Sequence, residues 1–152
     1  MRPTVTATLR QSTRASSSAD WWASYFDGQY QLEYEPIFTL EKDRQEVARL
    51  LDVLRLPVGA RVLDVPCGQG RHAHLLAEAG YDVDGLDYST HLLDKAKARG
   101  TGKTLRYTRG DMRKLPARWT GRFDAVVNLF TSFGFFLDPN DDVRVIAEFA
   151  RV

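Results

Sequence analysis

The chain has 152 residues, enough for one domain with a real core but short for an elaborate enzyme. Hydrophobic residues at 43% and charged residues at 27% are ordinary for a soluble globular protein, and no apolar run approaches the roughly 18 residues that cross a bilayer. Net charge is +1, and residues 21–152 hold 18 basic and 19 acidic side chains, so the basic footprint of a protein that grips nucleic-acid phosphates is missing.

Residues 1–19 contain no acid and are rich in Ser and Thr, a composition shared by transit peptides and disordered leaders. Their poor apolar periodicity favours the leader, and the domain is expected over residues 20–152. Asp20 is placed to cap a short helix carrying Trp21, Trp22, Tyr25 and Phe26, which Gly28 interrupts. A longer helix is predicted over 40–54, where Val47, Leu50, Leu51 and Leu54 share one face, and Pro57 and Gly59 supply the turn after it.

Strands and helices then alternate. A buried strand over 61–65 leads through a loop to a helix over 71–79, stopped by Gly80. A second strand over 81–86 precedes a helix capped by Ser89 or Thr90 and closed by Gly100. Third and fourth strands are expected over 104–108 and 123–130. Asp138-Pro139 opens a last helix with Val143, Ile146 and Phe149 inward. Parallel strands joined by helices of this length give an α/β fold with a Rossmann-like parallel sheet covered on both faces.

Four segments carry chemistry. In Val62-Leu63-Asp64-Val65-Pro66-Cys67-Gly68-Gln69-Gly70-Arg71-His72, a strand runs into a glycine loop that lets a ligand approach main-chain N–H groups at a helix N-terminus. Gly68-x-Gly70-x-x-Ala73 also satisfies a loose dinucleotide fingerprint. Asp64 argues for a different ligand: at the end of a central strand its carboxylate would repel pyrophosphate and welcome an ammonium or sulfonium. Alternatively it accepts the loop's own amides. Asp87 ends the second strand nineteen residues after Gly68, and its alternative role is a helix cap. Arg109-Gly110-Asp111-Met112 follows the third strand, with a turn Asp as its alternative. Asn128 lies in the apolar fourth-strand segment, beside Phe130, Phe133, Phe135 and Phe136, which either dry a pocket or form core.

These segments resemble the class I S-adenosylmethionine (SAM) dependent methyltransferases, of the small bacterial methyltransferase-domain branch. The resemblance covers residues 20–152 and is motif-rich over 61–136. It implies SAM as cofactor, with Asp87 on the ribose hydroxyls, Asp111 on the adenine amino group and Asn128 along the cofactor. The implied cofactor set is Asp64, Cys67, Gly68, Gly70, Asp87, Tyr88, Asp111, Met112 and Asn128, with a small-molecule methyl acceptor, no nucleic acid, no membrane and a cytoplasmic location. The aromatic stretch 21–30 resembles the family's lid helix, in which Tyr25 or Tyr30 faces the methyl group; a surface helix is the alternative.

No metal site is expected at His72, His74 or His91, since no acid or cysteine set accompanies them in sequence. Cys67 is the single cysteine, which excludes an internal disulfide; no neighbouring base marks it as a nucleophile, and no catalytic base is identified. The family fold has seven strands, and this sequence supplies four. The expectation is a truncated domain whose open fourth strand pairs with a second copy or a complementing chain. A non-catalytic SAM-binding fragment is the alternative function, and an NAD-dependent oxidoreductase a more distant one.

Overall fold

The computed structural model of the protein describes residues 21–26, 33–130 and 132–152. The expected leader, Asp20, Gly28 and Tyr30 lie outside them. A short helix α1 (Trp22–Tyr25) begins at Trp21, which makes no side-chain capping bond. Helix α2 (Leu40–Leu54) is capped by the Thr39 hydroxyl, which accepts from the Lys42 amide. Strand β1 (Arg61–Asp64), helix α3 (Arg71–Glu78), strand β2 (Asp82–Asp87), helix α4 (Thr90–Arg99), strand β3 (Leu105–Arg109), strand β4 (Ala125–Val127) and helix α5 (Pro139–Arg151) follow.

The four strands form one sheet in the order β3-β2-β1-β4, and every described pair is parallel. This is the α/β Rossmann-like sheet expected from the strand–helix alternation. Period-two alternation divides the core. Val62 and Val83 face a layer with Val47, Leu75 and Leu76, whereas Leu63, Val65 and Leu86 face a layer with Trp119, Val145 and Val152. All strand C-termini point to one end of this parallel sheet, and the strand order reverses between β1 and β4. Among the described residues, β4 is an edge strand and no helix is long and apolar enough to cross a membrane.

Two sequence expectations need correction. The fourth strand is shorter than 123–130: ladder pairing with β1 covers only Val62–Ala125 to Asp64–Val127. Beyond it, the Asn128 side chain donates to the Val65 carbonyl at 2.8 Å, and Phe130 turns into the left-handed region at φ +62°. At the other end, Asp124 accepts from the Arg61 amide at 2.8 Å.

Helix α5 is also rotated from the expected face. Val143 is 68% and Ile146 53% exposed, while Val145 is fully buried beside Asp141 and Val152. The physical reason is electrostatic as well as apolar. Asp141 receives the Arg113 guanidinium at 2.7 Å, which fixes the inward face as Asp141, Val145, Glu148, Phe149 and Val152. Phe149 is inward as expected.

Candidate functional site

A cavity of about 420 Å³ opens at the C-terminal end of the sheet. Its floor is made by strand tips. β1 contributes Asp64 and the loop Pro66-Cys67-Gly68-Gln69, β2 contributes Asp87 and Tyr88, and the segment after β3 contributes Gly110, Asp111 and Met112. Asp64, Asp87 and Asp111 thus face a common space although 23 and 24 residues separate them in turn.

The loop is held from below. Gly68 at φ +54° donates its amide to Asp87 Oδ2 at 2.8 Å, and the Cys67 amide donates to the Leu86 carbonyl at 2.8 Å. A Cβ on Gly68 would meet nothing within 4 Å, so the backbone there is open to a ligand. Gly70 has a different task. It is not part of the cavity wall, and a Cβ there would lie 2.5 Å from Tyr107 Oη and 2.9 Å from the Ala96 methyl. Its role is close packing of α3 against β3 and α4.

Asp64 is 1% exposed, and its Oδ2 has no hydrogen-bond partner. Burial, then the Asp87 charge, push its carboxyl up to about 7, against opposing pulls from the Ala73 amide and Arg71. The loop amides therefore do not satisfy both of its oxygens, and a buried orphan acceptor on a cavity wall suits a cationic ligand group. Asp87 is raised by burial too, opposed by amides of Ser89, Gly68 and Tyr88. The cap of α4 is Ser89, whose hydroxyl accepts from Leu92 at 3.2 Å, so Asp87 is not that cap. Asp111 does form the turn that was its alternative reading, accepting from the Arg113 amide at 2.8 Å. The Arg113 guanidinium also grips both its oxygens.

Asn128 is not on the cavity wall; its amide is committed to Val65 and lies 3.9 Å from Met112 Sδ. Cys67 borders the cavity as a free thiol whose pKa burial pushes well up, which keeps it protonated rather than nucleophilic.

The roof is aromatic. Trp22 packs edge-on to Tyr88 at 4.8 Å and Phe136 at 5.6 Å, and the Trp21 indole donates to the Phe135 carbonyl at 3.3 Å. Ser89 donates to the Phe26 carbonyl at 2.8 Å. Helix α1 thereby closes over the strand tips, with Tyr25 on the cavity wall. Phe130, Phe135 and Phe136 line the cavity and Phe133 does not, being half exposed.

The expectation that no acids accompany the histidines is corrected at His72. Helix α2 brings Glu46 Oε2 to 2.7 Å from His72 Nε2, with Asp43 alongside. Arg71 stands among them, ion-paired with Asp43 and 3.9 Å from Glu46, so this group already contains its cation. Burial lowers the His72 pKa below its ordinary value. Arg71, His72 and Phe38 all reach the cavity, and the sequence reading assigned none of them to it. The signal for Arg71 was its place directly after the glycine loop; nothing local marks Phe38 or Glu46.

Fold and site together define an open α/β domain with an acid-floored cavity at its strand tips. A model of the methyltransferase domain matches residues 62–152, and the chain belongs to this family, the class I SAM-dependent methyltransferases. A glycine/sarcosine N-methyltransferase of Aphanothece halophytica is 39% identical over 60% of this chain and 36% of its own length. The dTDP-3-amino-3,4,6-trideoxy-alpha-D-glucopyranose N,N-dimethyltransferase of Streptomyces venezuelae is 33% identical over 76% of this chain and 49% of its own. Among solved structures, SAM-bound CalS10, an amino pentose methyltransferase from Micromonospora echinaspora, superposes with a TM-score of 0.67. It is 30% identical, with 82% of this chain and 51% of that one covered. The chain thus spans between about a third and a half of the length of these proteins.

Proposed function

We propose that this chain binds SAM at the strand tips and serves methyl transfer to a small-molecule acceptor. The observation that carries the reading is the convergence of Asp64, Asp87 and Asp111 on one cavity, with Asp64 Oδ2 buried and unpartnered. In this reading Asp64 faces the ammonium of the cofactor's amino-acid end, and Asp87 accepts from the ribose hydroxyls. Asp111 and Met112 flank the adenine, Tyr88 borders the nucleoside, and the Cys67-Gly68 backbone lies along the cofactor. Gly70 and Asn128 support the loop and strand end without touching it.

SAM supplies an activated methyl on a sulfonium, a good leaving group for in-line displacement. The protein's work is then alignment and exclusion of water. The roof of Trp21, Trp22, Phe135 and Phe136 supports the second task, and the fixed glycine loop the first. A pyrophosphate cofactor fits less well, because the buried, unpartnered Asp64 oxygen stands at the strand tip that leads into the glycine loop, where phosphates would lie.

Relatives named for glycine, sarcosine and amino sugars support a small acceptor. Near-neutral charge supports a small molecule over nucleic acid. The edge position of β4 supports pairing with a second copy or another chain, and the free, buried Cys67 supports a reducing compartment such as the cytoplasm.

The test is transfer of label from methyl-tritiated SAM to a panel of small amines including glycine, sarcosine and amino sugar nucleotides. Label in a small-molecule product supports the reading. Saturable SAM binding with no labelled product across the panel restricts the chain to donor binding.

A further inference from the structure

We infer that Arg113 positions the Asp111 carboxylate, and that the cavity thereby selects a base bearing an exocyclic amine over one bearing a carbonyl. The inference rests on the donor-binding reading above, in which Asp111 faces the nucleobase, and adds the group that decides which base it accepts.

Arg113 stands two residues after Asp111, in the turn that follows β3. It is not on the cavity wall, whereas Asp111, Trp22 and Phe136 are. Its main-chain amide donates to Asp111 Oδ1 at 2.8 Å, and its Nη2 donates to Oδ2 at 2.7 Å. Between them Nε lies 3.1 and 3.0 Å from the two carboxylate oxygens. The remaining nitrogen, Nη1, donates at 2.7 Å to buried Asp141 of α5. The guanidinium also lies 4.6 Å from the Phe136 ring and 5.2 Å from Trp22 of α1. One cation therefore joins the turn after β3, helix α5 and the aromatic roof.

An aspartate alone on a turn rotates about both of its side-chain bonds, which leaves its acceptor directions open. Arg113 removes that freedom, because a planar guanidinium fork and a main-chain amide hold the carboxylate in one orientation. A carboxylate offers roughly four acceptor sites, and the three N–H groups of Arg113 leave about one of them for a ligand. An amine on the edge of the base donates to that site. A carbonyl in the same place brings a second acceptor against it, a mismatch that a built polar site rejects. A carboxylate free to turn would instead reach the N–H that hypoxanthine carries at N1. Selectivity thus belongs to the orientation of Asp111 and not to its charge alone. The alternative is that Arg113 only ties α5 to the turn.

The test crosses a protein change with a ligand change. Calorimetric titrations of the 152-residue chain use S-adenosylhomocysteine and S-inosylhomocysteine, which differ only in the base edge. The wild type is expected to prefer the adenine ligand by about tenfold or more. Arg113→Lys keeps the charge without the fork, and its preference is expected to fall to within about threefold. Arg113→Gln serves in the same way if the lysine variant does not fold. In an Asp111→Ala background, Arg113→Lys is expected to change the preference no further. Asp141→Asn loosens the anchor on α5 and leaves the fork, so it is expected to lower the denaturation midpoint while keeping the preference.

A merely structural Arg113 would weaken both ligands alike and leave their ratio unmoved, which overturns the proposal. So does a wild type that binds the two ligands equally, or a ratio that falls by the same factor when Asp111 is absent. Failure of both Arg113 variants to fold would mark the structural role and overturn it as well. A wild type that binds neither nucleoside overturns the donor-binding reading itself.

Discussion

The carboxylate of Asp87 accepts the Gly68 amide at 2.8 Å, so the tip of β2 holds the loop that leaves β1. Its other oxygen accepts the Ser89 amide at 2.8 Å. One side chain thereby fixes the glycine loop, the start of α4 and one wall of the cavity. Asp87→Asn keeps the shape and removes one acceptor. Affinity for S-adenosylhomocysteine is expected to fall by about 1–3 kcal/mol, measured by calorimetry. Unchanged affinity would remove Asp87 from the ribose contact.

The two loop glycines separate packing from binding. Gly70→Ala forces a methyl against Tyr107 and Ala96 at φ +73°, and is expected to cost about 2–4 kcal/mol in a denaturant melt. Gly68→Ala meets no protein atom and should cost about 1 kcal/mol of stability from its positive φ alone, while weakening nucleoside binding. Equal stability losses would contradict these separate roles.

Asp64 makes stability depend on pH. Its ordinary value is 3.8 and burial raises it to about 7, so between those limits the folded chain holds a proton that the unfolded chain has released. That contribution is present in acid and lost as pH rises through about 7. Asp87 acts in the same direction, whereas the lowered His72 pKa acts in the opposite one. The difference between wild type and Asp64→Asn isolates the Asp64 contribution: the variant is expected to gain relative stability as pH rises from about 5 to about 8. A pH-independent difference would show that Asp64 is not the raised carboxyl.

The orientation of α5 yields a paired test. Val145→Ala removes two buried methyls and is expected to destabilise by about 2 kcal/mol. Val143→Ala lies on the exposed face and should change stability by less than about 0.5 kcal/mol. The reverse ranking would restore the face expected from the sequence.

The parts of this fold legible in the sequence are those written in short-range punctuation. Gly80 and Gly100 mark helix ends by their backbone geometry, Ser89 and Asp138 mark helix starts by side chains that accept a first-turn amide, and these elements lie where the pattern put them. The acids at the strand tips were legible because strand, loop and helix are consecutive. Features set by distant partners were not. Val143 and Ile146 look like an inward face until Arg113, 28 residues before Asp141, pulls that residue in. Asn128 reads as a cofactor neighbour until its amide is seen bonded to Val65. The acids around His72 come from α2, more than twenty residues upstream, and no local spacing announces them.

The central claim is that the acidic floor holds an adenosine-bearing amino acid, and calorimetric titration with S-adenosylhomocysteine, with NAD as comparison, tests it most directly. The account expects saturable one-to-one binding of S-adenosylhomocysteine and no detectable heat from NAD. Tight NAD binding, or no binding of S-adenosylhomocysteine by a folded chain, would contradict it.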